Sequence, residues 1–235
     1  MPAIVEANDG FMYVIKFRGA GQGIKALIAE FIGGEIARAI GLKVPEIVFA
    51  ELDEAFGRSE PDVEIQDLLK ASRGLNAGLH FLSGAVTYEP SISKVDGILA
   101  SKIVWLDAFL ANMDRTAKNT NMLLWRNELW LIDHGAALYY HHNWDSFSDN
   151  ALNPFALIRY HVLLPQANKL RVVEDEIKQR LTVEKITDIV HAVPLEWFEI
   201  IAPGEAEEAK NKYITFLTHR FNNSSSTFLK EAMYE

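Results

Sequence analysis

Three oxygen-bearing side chains, Asp114, Asn119 and Asp133, stand around a short apolar stretch in NMDRTAKNTNMLLWRNELWLIDHGAAL, residues 112–138. Magnesium bound together with a triphosphate needs few protein ligands, a carboxylate plus one amide or carboxylate oxygen, because phosphate and water complete its octahedron. A further carboxylate, free of metal, must reach the hydroxyl that accepts the phosphoryl group. Asp114 as base, with Asn119 and Asp133 as metal ligands, supplies that set. NMLLW and ELWLID read as strands joined at Arg126-Asn127, a hairpin that returns Asp133 beside Asn119 and leaves Asp114 across the gap. Singly, an Asp at a strand end or an Asn in a turn is a cap or turn residue. The conjunction of three around one hairpin is what points to phosphoryl transfer. Arg115 and Lys118, in the same loop, add positive charge able to stabilise a transferring group.

A phosphoryl donor also needs an anchor. Lys16 ends MYVIKF, a strand-like run ahead of a helical pattern, where its ammonium can reach α- and β-phosphates if a helix glutamate holds it. Glu30 is the expected partner, and Glu35 competes for the role. RGAGQG, residues 18–23, follows the lysine strand and reads as a flexible connector into the helix. The turn at Asn8, Asp9 and Gly10 is at least as good a cover for the nucleotide. The adjacent histidines of YYHHNWD, residues 139–145, lack helical zinc spacing. That run, following Asp133-His134-Gly135, reads as an activation-segment or substrate-facing loop. His161, His191 and His219 fall on helical patterns and read as surface or core residues. No G-x-S-x-G occurs, so a serine hydrolase has no support.

The elements that must position these groups follow from hydrophobic period. FMYVIKF and EIVFAEL read as strands, and Lys25 to Ile40 as a helix with one buried face, stopped by Gly41 and Pro45. The polar run at 53–61 reads as a linker between a small first lobe, about 1–54, and a larger, mostly helical second lobe, 55–235. Residues 91–112 give a long amphipathic helix. FALIRYHVLLP, RVVEDEIKQRL, VEKITDIVHAV and Glu205 to Arg220 complete the helices, and NNSSSTF (222–228) is a polar interruption.

Composition narrows the class. The 235 residues are 49% hydrophobic and 23% charged, with a mean hydropathy of zero, which fits a globular α+β chain able to bury its own core. Absence of cysteine removes disulfides, thiolate metal sites and a cysteine nucleophile. A net charge of −9 offers no field for nucleic acid. MPAIVEANDGF lacks the pattern of a signal peptide, and the most apolar helical run carries Glu30, Glu35 and Arg38. No membrane contact and a cytoplasmic location are therefore expected.

Four blocks in order, MYVIKF, AEFIGGEIARAIGLKVPEI, NMDRTAKNTNMLL and LWLIDHG, resemble the HipA-like kinases, in particular a compact single-domain branch. They span about residues 10–138. The resemblance implies a two-lobed protein-kinase-like fold that binds ATP with Mg²⁺ and phosphorylates Ser or Thr of a protein, autophosphorylation included. It implies Asp114 as catalytic base, Asn119 and Asp133 as metal ligands, and Lys16 with Glu30 as the nucleotide anchor. The larger relatives carry histidine two residues after the catalytic Asp, where this chain has Thr116, and an N-terminal subdomain for which this length leaves no room. Both departures bear on the acceptor and on any antitoxin-like or neighbouring partner protein. A nucleotide-binding module without turnover, and a small-molecule or lipid kinase, are the alternatives.

Overall fold

In the computed structural model, residues 2–224 apart from 54 and 59, together with Phe228, Leu229 and Ala232, are described. The chain opens with β1 (Pro2–Glu6) and β2 (Met12–Lys16), an antiparallel hairpin pairing Pro2 with Lys16 and Glu6 with Met12. Its turn closes where Asp9 accepts from the Phe11 amide and the Tyr13 hydroxyl, each at 2.9 Å. The glycine-rich connector leads into α1 (Gly23–Ala39), and β3 (Ile47–Leu52) follows. Next come α2 (Val63–Ala71), capped by Asp62, and β4 (Gly74–His80). The four strands form one antiparallel sheet in the order β1-β2-β4-β3. The sheet therefore does not end at residue 54: β4 lies between β2 and β3, and a boundary between 1–54 and 55–235 would split it. Residues 74–80 escaped a sequence reading because GLNAGLH has little β-branched or aromatic content.

A second sheet holds β5 (Val86–Thr87), β6 (Met122–Trp125) and β7 (Glu128–Leu131) in sequence order. Arg126 and Asn127 both take left-handed φ values, 52° and 62°, as a two-residue type I′ hairpin turn requires. Between β5 and β6 runs α3 (Gly97–Leu110), with Asp96 accepting from the amides of Ile98 and Leu99. The expected start of this helix at 91 is corrected to 97, where the capping carboxylate sits.

Neither α1 nor α3 has a single apolar stripe. From Leu27 to Ala37 every residue of α1 except Glu35 is buried, and from Ile103 to Leu110 all of α3 is. α1 packs between β4 and the later helices α5 (Val183–His191) and α6 (Leu195–Ile201). α3 packs on α4 (Leu170–Arg180) and α7 (Ala206–Asn222). A helix buried on all sides shows no amphipathic period.

Residues 139–166 form a chain of short 3-10 turns. The helix expected over FALIRYHVLLP is two of these, Ala156–Tyr160 and Leu164–Gln166, broken where His161 turns inward. Arg220 of α7, fully buried, donates to the carbonyls of Ala108 and Phe109 at the end of α3 and of Ala151 and Asn153 in the turn region. Of the polar run at 222–228, residues 225–227 lie outside the described residues.

Candidate active site

The site is built where the two sheets approach α1. Alternation along β2 buries Tyr13, Ile15 and Phe17 on one face and turns Lys16 to the other, toward α1. There the Lys16 ammonium lies 2.5 Å from Asp133 Oδ1 and 3.8 Å from Glu30 Oε2. Burial alone would lower the Lys16 pKa, but the two carboxylates outweigh it and hold it above its ordinary value. Glu30 is buried to 1% exposure. Burial would raise its carboxyl, yet Lys16 and His134 keep it below the usual range. Glu35 instead pairs with Arg38 on its own helix, so the geometry selects Glu30.

Asp133 follows β7 with a left-handed φ of 58°, a conformation L residues adopt at a cost and one that clusters at functional sites. Asn121, at φ 48°, stands opposite Ile132, the residue before Asp133, at the hairpin base, its carbonyl accepting from the Ile132 amide at 3.0 Å. Asp114 is held by two amides: Asn119 Nδ2 at 2.7 Å and Asn121 Nδ2 at 3.1 Å both donate to its Oδ2. Its own backbone N–H donates to Asn112 Oδ1 at 3.2 Å. The Asn119 side chain thus engages Asp114, not Asp133 as the hairpin argument placed it.

Lys16, Glu30, Asp114 and Asp133 line one cleft of about 300 Å³, together with Ala20 to Gly23 of the glycine-rich loop. The Asn8–Gly10 turn lines a different depression, on the outer face of the four-stranded sheet. The loop at this cleft is therefore RGAGQG, and the turn is set aside as its cover. Gly21 and Gly23 have open space where a Cβ would stand.

Arg115 is a correction. Its side chain is buried, donating from Nε to Asp107 Oδ2 at 2.6 Å and from Nη1 to the Asn121 carbonyl. It points under the loop rather than into the cleft. Lys118 and Asn119 are both exposed and neither is among the residues lining the cleft; Asn119 reaches it only through its bond to Asp114. Asp107, near the end of α3, also takes a contact from His161 Nε2 at 2.8 Å and one from Asn112 Nδ2 at 2.8 Å. Against its burial, the Arg115 guanidinium and His161 hold the Asp107 carboxyl far below its ordinary range. Thr116 pairs through its backbone with His161, so a histidine does stand under this loop, delivered from 45 residues further along.

Asp107, Asn112 and Asn121 were not singled out from the sequence, and His161, read there as a surface or core residue, is buried. For Asn121 a signal existed, an Asn two residues after Asn119 at a strand start. Asp107 inside the apolar run IVWLDAFL was the other, since a buried acid in an apolar helix demands a partner.

A model of the family described as HipA-like kinase matches residues 1–228. The chain belongs to the HipA-like kinase family. Family membership makes it a kinase, a phosphotransferase. In fold it is similar to the crystal structure of a Helicobacter pylori proinflammatory kinase, CtkA, with a TM-score of 0.59 and 16% identity over 98% of this chain and 92% of that one. No curated protein matches it. The likeness is one of a mixed α+β architecture with small antiparallel sheets and several helices. Among the described residues no helix is long and apolar enough to cross a membrane.

Proposed function

We propose that this HipA-like kinase uses ATP with Mg²⁺ and transfers the γ-phosphate to a hydroxyl, that of a protein Ser or Thr, in the cytoplasm. The observation that carries the reading is the convergence of Lys16, Glu30, Asp114 and Asp133, from four separate segments, on one glycine-lined cleft. The donor set fits the group. Two carboxylates and an amide are too few to cage a metal alone but match one shared with phosphate oxygens. Bound Mg-ATP would supply the electrophilic phosphoryl group and neutralise charge on its leaving oxygens.

The chain's own residues would divide the work. Lys16 anchors phosphate oxygens, and Glu30 keeps its ammonium in place once Asp133 is engaged elsewhere. Asp133 and Asn119 hold metal: Asn119 gives its N–H to Asp114, which leaves Oδ1 as its acceptor atom for a cation. Asp114, its Oδ2 fixed by two amides, orients and deprotonates the acceptor through its other oxygen. The start of α1, which no side chain caps, adjoins Gly21 and Gly23 at the cleft, and a helix N-terminus favours phosphate there.

Among the described residues lining the cleft none carries a hydroxyl, which supports an acceptor brought by another molecule, a protein substrate or a neighbouring antitoxin-like partner. The lobes of this reading divide beyond β4 rather than at 54. Incubation with labelled ATP and Mg²⁺, with a thermal shift in parallel, tests the proposal. Label transfer lost in Asp114→Ala is the expected result. A Mg-ATP shift with no turnover would instead make the chain a nucleotide-responsive module.

A further inference from the structure

His134 is the residue after Asp133, and the phosphotransfer reading gives it no task. Its ring is completely buried, and neither Nδ1 nor Nε2 has a hydrogen-bond partner. Both oxygens of Glu30, the other side of the same interface, are equally buried and also lack one. Nδ1 stands 3.8 Å from Glu30 Oε1, beyond hydrogen-bond length. Lys16 meets the other oxygen, Oε2. Buried polar atoms without partners are rare in native structures, and here two of them, His134 Nδ1 and Glu30 Oε1, stand opposite each other.

The backbone is shaped to admit this ring. A Cβ on Gly33 of α1 would stand 2.8 Å from the His134 Cβ and 3.2 Å from its Cγ. Glycine at 33 therefore lets His134 lie against the helix that carries Glu30. An apolar ring would fill the space without leaving polar atoms unpaired, so packing alone does not account for histidine.

We infer that His134 is a positioning residue for the nucleotide anchor: its Nδ1–H binds Glu30 Oε1 and so keeps Oε2 aimed at Lys16. A closure of about 1 Å between α1 and the 133–135 segment makes that bond. His134 then couples three groups of the site, since it adjoins Asp133 in the chain, touches α1 at Gly33, and sets the carboxylate that holds Lys16. Histidine donates this bond in its neutral form, so no change of charge is required.

The inference rests on the ATP reading, and the experiment separates the two. Mg-ATP turnover, its KM and kcat, and unfolding temperature are measured for the wild type, His134→Phe and His134→Gln. Phe keeps the ring without a donor, and Gln restores an N–H. His134→Phe is expected to unfold no earlier than the wild type while its KM for Mg-ATP rises about tenfold, with a smaller fall in kcat. His134→Gln recovers most of the loss. Wild-type kinetics in His134→Phe, or equal impairment in both variants, overturns the positioning role. A wild type that neither binds nor turns over Mg-ATP removes the reading beneath it, a result visible before any variant is made.

Discussion

Lys16 Nζ lies between Asp133 Oδ1 at 2.5 Å and Glu30 Oε2 at 3.8 Å, so a single ammonium is shared by a β7-end carboxylate and a helix carboxylate. Asp133 cannot give the same oxygen to a metal while Lys16 holds it. On the proposed reading, a metal taking that oxygen would move the ammonium off Asp133 and leave Glu30 as its carboxylate partner. Lys16→Met is expected to lower kcat/KM for ATP about 10²- to 10³-fold. Steady-state kinetics check this, and a variant within threefold of wild type would sink the anchor assignment.

Asp114 is only half-buried, held between the exposed Asn119 and the buried Asn121. Asp114→Asn is expected to unfold like the wild type and to lose about 10²- to 10⁴-fold in turnover, the range for removing a general base. Asn121→Ala, which removes one of the two amides on Oδ2, is expected to cost less, about tenfold. Turnover and thermal unfolding measured on both variants decide it. If Asn121→Ala matches the loss in Asp114→Asn, the two-amide account is wrong.

Arg115 and Asp107 form a fully buried pair beneath the same loop. Breaking such a pair from one side leaves a buried charge uncompensated and costs about 3–5 kcal/mol. Arg115→Ala should therefore show its effect in the urea midpoint, and an unchanged midpoint would return Arg115 to the cleft. The sign with pH is fixed by the depressed Asp107 carboxyl. Its contribution is complete above the ordinary value of 3.8 and is lost as pH falls below that value toward the folded pKa.

His141 makes an opposite demand on acid conditions. Buried among aromatic rings, with Nδ1 3.1 Å from the Tyr213 hydroxyl, it is pushed by burial from 6.5 down to about 3, with the charges of His142 and Lys25 adding to the effect. Below pH 6.5 the unfolded chain binds a proton there that the folded chain refuses. Stability is thus complete above 6.5 and falls by about 1.4 kcal/mol per pH unit below it. Denaturation series at pH 7, 6 and 5 measure the slope, and His141→Phe should flatten it. An equal slope in that variant would assign the acid sensitivity to other groups.

How much of this was readable beforehand depended on whether a residue's signal was local. Lys16 at a strand end, Asp114 with Asn119 five residues on, and the β6–β7 hairpin are short-range patterns, and the structure puts them at the element ends where they were expected. Strand β4 was not readable: Gly74, Asn76 and Gly78 have no strand propensity, and they are extended because β3 pairs with the strand from Gly74 to Leu79 while β2 pairs with its second half from Ala77 on. α1 and α3 misled in another way, since burial on all sides erases the period that would have shown a face. Arg115 was misplaced because a cation in a polar loop looks available until Asp107, eight residues back on a helix, is known to lie beneath it. The same is true of His161, whose approach to Asp107 is a tertiary event with no sequence period.

Arg220 gives the molecule an order of assembly. Its guanidinium holds the last carbonyls of α3, just before the loop that carries Asn112 and Asp114. During synthesis that helix end, its loop and both sheets leave the ribosome long before α7 does. A nascent chain can therefore carry Lys16, Asp114 and Asp133, with Asp107 and Arg115 already beneath their loop, before Arg220 reaches the end of α3. The cation that completes the footing arrives in the last helix translated among the described elements.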